Sequence, residues 1–177
     1  MPRIPYLPAD LAEPREIVEA IRQRRGGELI QLDRQLLHSP PVAQGWNQLL
    51  GAVRTKMLLP ARLRELAMCG VAVINQAEYE YVHHVPVLLA AGASQAQADA
   101  LRDIDRAAGD TALFDELDRA VLQMTIEMTR SVKVSDATFA RARALLPDDR
   151  QMFELITTIA AYNMVSRVLV AIQVLPE

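Results

Sequence analysis

Apolar residues recur at three- and four-residue spacing along most of the chain, the period of an amphipathic helix, and almost no run alternates as a strand would. Ile17, Val18 and Ile21 form one stripe. A first helix is expected over residues 14–25, with Pro14 at its first position and Gly26-Gly27 as its stop. Leu29, Leu32, Leu36 and Leu37 space a second helix across residues 29–37, which ends at His38-Ser39-Pro40. Ser39 is placed to cap a third, carrying Trp46, Leu49, Leu50 and Val53, with Trp46 read as core. Pro60 opens a fourth through Leu63, Leu66, Ala67, Gly70, Val71 and Ile74. Its apolar surface runs nearly all round, so it belongs in the centre.

Beyond Asn75-Gln76 a fifth helix is expected from Ala77 or Glu78, carrying Tyr79, Tyr81, Val82, His83 and His84. Pro86 cannot donate to the Val82 carbonyl, so this helix should kink or restart there. Ala91-Gly92 ends it. Ser94 and Gln97 make a capping-box pattern for the next helix, which runs to about Asp105. Residues 106–111 read as a polar loop, and residues 114–131 as a long helix through Leu117, Val121, Leu122, Met124, Ile126 and Met128. Ser135 or Asp136 starts another, ending at Leu146-Pro147. The last begins near Asp148 and carries Phe153, Ile156, Ile159, Ala160, Met164, Val168 and Ile172. Its apolar face is too wide for one partner, which implies burial against central helices and a neighbouring subunit. Residues 1–11, with Pro2, Pro5 and Pro8, read as an extended arm lying on the body.

A chain of 177 residues, 51% of them apolar, fits one structural domain better than two. The expectation is all-α, with about seven to nine helices. A net charge of -3 with both signs interspersed offers no broad positive field for nucleic acid. The single cysteine, Cys69, excludes an intrachain disulfide and any CxxC pair. No apolar run of membrane-spanning length and no continuous leader-like segment is read from the sequence, so no membrane partner and a cytoplasmic location are expected.

The chemistry concentrates in residues 64–92, where ionisable groups sit in segments otherwise built for burial. Ala77, Glu80 and His84 fall on one helix face. A carboxylate four residues before an imidazole can orient it and raise its pKa, an arrangement suited to proton transfer near neutral pH. The plainer alternative is a surface ion pair. Glu65 joins the same site if its helix packs antiparallel to the next, and is otherwise part of an exposed first turn. His83 points away from the Glu80 face, toward a backbone carbonyl or a subunit contact. Glu65, Glu80, His83 and His84 make a conceivable ligand set. No HExxH and no second dense cluster accompany them, so neither a metal nor another cofactor is expected. Cys69, in an apolar helical run, reads as a buried small hydrophobe.

The stretch LPARLRELAMCGVAVINQAEYEYVHHVPVLLAAGAS, and more loosely the chain from about His38 to Ala120, resembles the carboxymuconolactone decarboxylase superfamily, which also holds the alkylhydroperoxidase D proteins. In the peroxidase branch a glutamate precedes by twelve residues a CxxC motif, followed four residues later by a histidine. On this chain the glutamate falls on Glu65, the cysteines on Ala77 and Glu80, and the histidine on His84. Both thiols are gone, and reduction of a peroxide through a dithiol needs one to attack and one to resolve. The AEYEYVHH pattern is instead similar to the decarboxylase branch.

That resemblance implies a helical bundle of the alkylhydroperoxidase D-like type, with residues 38–120 as its core between an N-terminal part (1–37) and C-terminal helices (121–177). It also implies self-association as a dimer, trimer or hexamer, and a cofactor-free lyase acting on a small lactone or carboxylic acid. His84 would donate or relay the proton, Glu80 would orient it or act as base, and Glu65 would complete the relay. His83, Tyr79 and Tyr81 are the candidate substrate contacts. The competing expectations are an alkylhydroperoxidase or peroxiredoxin-like activity using Cys69, and an oligomeric binding protein without catalysis.

Overall fold

The computed structural model describes residues 2–176; the expectations reaching Met1 and Glu177 lie outside the described residues at those two positions. Among the described residues the secondary structure is helical throughout. The helices are α1 (Arg15–Arg25), α2 (Gln31–Leu36), α3 (Pro40–Thr55), α4 (Ala61–Ile74), α5 (Glu78–Ala90), α6 (Gln95–Ala100), α7 (Ile104–Gly109), α8 (Glu116–Ser131), α9 (Asp136–Leu145) and α10 (Asp149–Ile172). A 3-10 turn, Leu101–Asp103, joins α6 directly to α7. Counting that bent run as one unit leaves nine helical units among the described residues, within the expected range.

α4 is the centre, because only an element apolar on nearly every side can be covered from several directions. Leu66, Ala67, Met68, Cys69, Val71 and Ala72 are all at most 1% exposed. α5, α8 and α10 pack around it. Gly70 allows the closest approach: a Cβ there would lie 2.8 Å from Ile104 Cδ1 and 3.2 Å from Thr125 Cγ2.

The link from α4 to α5 decides the site. Gln76 adopts a left-handed φ of 56°, while Ala77 N–H donates to the Ala72 carbonyl at 2.8 Å, the closure of a Schellman-type cap. A glutamine here does what glycine usually does, and the chain turns back at once, so α5 lies antiparallel along α4.

Several expectations are corrected. α5 continues unbroken through Pro86 instead of restarting. The expected polar loop at residues 106–111 is helical as far as Gly109, because Asp103 caps a new turn by accepting from Arg106 N–H. Leu49 and Phe153, assigned to apolar stripes, are 45% and 68% exposed. α10 does reach the length and apolarity of a membrane span, contrary to the reading of the sequence, yet much of it is packed within the bundle. The proline-rich arm lies on the body: Arg3 N–H donates to the Ile172 carbonyl at 2.8 Å, and Gln35 Nε2 to the Ile4 carbonyl at 2.6 Å.

Candidate functional site

The antiparallel α4–α5 pair brings Glu65, near the start of α4, against His84, in the middle of α5. Glu65 Oε2 and His84 Nδ1 are 2.6 Å apart, and both side chains are buried. The partner of His84 is therefore Glu65 and not Glu80, which the helical spacing had suggested. With Nδ1–H donating to the carboxylate, Nε2 keeps its lone pair and is the basic atom of the ring. Burial holds the His84 pKa below its ordinary 6.5, outweighing the Glu65 hydrogen bond that raises it, so the imidazole is neutral at neutral pH. The ring is fixed edge-on to Tyr162, with centroids 4.9 Å apart.

Glu80 is 2% exposed and faces a different partner. Its Oε2 lies 2.9 Å from Ser166 Oγ, which also lies 2.8 Å from the Tyr162 carbonyl. A hydroxyl has one proton and a carbonyl can only accept. If Ser166 donates to Tyr162, the Glu80 contact is satisfied when Glu80 itself is protonated and donates to Ser166. Burial points the same way, raising the Glu80 pKa well above 4.5 against the opposing effects of Ser166 and Arg54. Glu80 Oε1 is buried and has no hydrogen-bond partner among the described residues. An unpartnered buried oxygen is costly, and such costs concentrate where chemistry is done.

Glu65, Glu80 and His84 line one cavity of about 360 Å³, together with Arg24, Arg25, Arg54, Tyr79, His83, Val87, Val165 and Leu169. His83, at its mouth, places Nδ1 2.6 Å from the Tyr79 carbonyl and stacks on the Tyr79 ring at 4.2 Å. Tyr81 is not part of the cavity. Its hydroxyl donates to the Ala98 carbonyl at 2.7 Å, and Arg102 covers its ring at 3.7 Å, so its expected role as a substrate contact is replaced by a structural one.

Sequence reasoning missed Arg54, Tyr162 and Ser166. Arg54 Nε donates to Tyr162 Oη at 2.7 Å. Tyr162 and Ser166, one turn apart on α10, put two buried hydroxyls into a long and largely apolar helix. That polar interruption in YNMVSR was the available signal, but no helical spacing ties it to Glu80, 86 residues away.

Cys69 sits in the core, fully buried, and burial followed by the nearby Glu65 and Glu80 pushes its thiol far above the ordinary range. A thiol in that setting is a small hydrophobe. Alkylation by iodoacetamide is expected only when the protein is unfolded. Rapid labelling of the native protein, read by mass spectrometry, would contradict this.

Residues 40–125 match the carboxymuconolactone decarboxylase family profile. No curated protein sequence matches the chain. Among solved structures, an uncharacterized peroxidase-related protein from Silicibacter sp. TM1040 is similar over 99% of this chain and 92% of its own, with 19% identity and a TM-score of 0.82. A peroxidase-related protein from Ralstonia eutropha JMP134, described as an alkylhydroperoxidase core, gives the same coverage and identity with a TM-score of 0.81. The debrominase Bmp8, as a cysteine-to-alanine variant bound to 2,3,4-tribromopyrrole, covers 97% of this chain and 90% of its own, at 15% identity and a TM-score of 0.78. At such identities the likeness speaks to fold alone. The central segment, residues 40–125, thus carries the match to the carboxymuconolactone decarboxylase family, and the chain as a whole takes the all-α fold of the alkylhydroperoxidase D-like, peroxidase-related proteins.

Proposed function

We propose that the cavity carries out cofactor-free proton transfer, with decarboxylation of a small lactone or carboxylic acid as the reaction class. The observation that carries this reading is the pairing of a neutral acid with a neutral base across one small cavity. His84 Nε2, with Nδ1–H held by Glu65, is the base, and protonated Glu80 is the acid. Environments that push two titratable groups in opposite directions assign acid and base roles by themselves.

In a decarboxylation the carbon–carbon bond to the carboxylate breaks, carbon dioxide leaves, and the electron pair remains as an enolate. Glu80 gives that carbon a proton, a half-turn of the carboxyl exchanging its oxygens between Ser166 and the cavity. The ionised Glu80 then regains a proton from solvent, with His84, in the same cavity wall, as relay. Nothing in this sequence needs a thiol. The peroxidase reading lacks what it requires, since Cys69 is buried and no second cysteine exists to resolve a sulfenate. Self-association belongs to the same reading, as Phe153 and Val170 of α10 and Val87 of α5 leave apolar surface open.

The test is a screen of small lactone acids for carbon dioxide release, run beside thiol-dependent peroxide consumption. Release is expected from the wild type and Cys69→Ser, and not from His84→Ala. Peroxide loss that disappears in Cys69→Ser, or carbon dioxide release that survives in His84→Ala, would remove the reading.

A further inference from the structure

Proton transfer leaves unexplained why this cavity has arginines in its wall. Arg24 and Arg25 come from α1, outside the segment that matches the family, and Arg54 from the end of α3. One carboxylate, Asp33, serves both α1 arginines, at 2.9 Å from Arg25 Nε and 3.5 Å from an Arg24 amino group. Arg54 has no carboxylate within ion-pair distance among the described residues. Its Nε is spent on the Tyr162 hydroxyl, and its two terminal amino groups have no hydrogen-bond partner among the described residues. On the facing wall the Glu65 carboxylate is engaged by His84, and the Glu80 carboxyl is held by Ser166. The three guanidinium groups thus share the Asp33 carboxylate on the α1 side and the Glu65 carboxylate opposite, and neither lies within ion-pair distance of Arg54. Burial, and then the charge of Arg25, lowers the Arg24 pKa to about 10.

A guanidinium fork with free terminal N–H groups at the wall of a small apolar-lined cavity matches a carboxylate in charge and geometry. We propose that Arg54, assisted by Arg24, is a binding subsite for one carboxylate of a small organic acid. The subsite rests on the reading of this cavity as the reaction site, and it constrains that reading. An ionic contact to the carboxylate that departs would stabilise the ground state and vanish in the transition state, raising the barrier. The group at Arg54 is therefore one that the product keeps.

The experiment is calorimetric titration of the purified full chain with acetate and glutarate, against acetamide and glutaramide, alongside unfolding temperatures. The carboxylates are expected to bind and raise the unfolding temperature, and the amides to bind about ten-fold more weakly or worse. Arg54→Met, and independently Arg24→Met, should lose carboxylate affinity, while the exposed Arg141→Met keeps it. Glu80→Gln should also keep it while losing turnover; carboxylate binding by a wild type that turns over no acid in the screen would sink the proton-transfer reading and leave the subsite standing. The subsite itself is overturned if the amides bind as tightly as the acids, if both folded arginine variants bind like wild type, or if no carboxylate binds at tens of millimolar.

Discussion

Glu80→Gln is expected to lower turnover by about 10²–10⁴-fold, the usual contribution of a positioned general acid, and to make the fold more stable at the same time. Glutamine keeps the volume and can donate to Ser166, but has no proton to give to carbon. The stability gain follows from linkage. Burial holds the native carboxyl well above its ordinary 4.5, so the folded protein binds this proton more tightly than the unfolded chain does. The stabilisation from that tighter binding is fully present below 4.5 and is lost as pH rises through the folded-state value. Since glutamine does not titrate, the variant's advantage should widen with rising pH. Urea unfolding of both proteins across a pH series reads this directly. Parallel pH dependences, or a Glu80→Gln protein with wild-type turnover, would contradict the assignment. A gain in stability with a loss of activity is the expected signature of a group retained for chemistry at the expense of the fold.

Glu65→Gln is expected to cost about as much in turnover, by misorienting His84 rather than by removing a reacting group. An amide can meet Nδ1 with its own N–H, which favours the tautomer protonated on Nε2 and takes away the base. Because Glu65 raises the His84 pKa against the lowering by burial, its removal should also move the acid limb of the rate profile to lower pH, with KM little changed. In the wild type that limb lies below 6.5. Neutral His84 contributes stability above 6.5 that is lost as pH falls through its folded-state value. An unmoved acid limb and unchanged kcat in Glu65→Gln would show that His84 acts without this contact.

The helices were legible because α4 and α10 carry their burial pattern within a single turn of sequence, and Ser94-Gln97 announces its own cap. The bend at Asp103 was missed because an aspartate that caps a short new turn looks, in sequence, like any polar loop residue. In the site, Glu65, Glu80 and His84 were found by their chemistry, yet their pairing was read from the nearest spacing. Contact across the α4–α5 turn was closer than contact one turn along α5, and only the left-handed Gln76 makes it so. Arg54, Tyr162 and Ser166 were out of reach for the same reason. Their partners lie on other helices, 108 residues apart for Arg54 and Tyr162, and no local period encodes such a contact.

The central claim is a protonated acid and a neutral base facing one cavity, and infrared difference spectroscopy at neutral pH tests it without knowledge of the substrate. Wild type minus Glu80→Gln should show the carbonyl stretch of one protonated carboxylic acid, disappearing only when pH is raised well above the ordinary carboxylate range. A difference spectrum carrying the bands of an ionised carboxylate at neutral pH would mean that Glu80 is not the acid, and the proposed chemistry would fall with it.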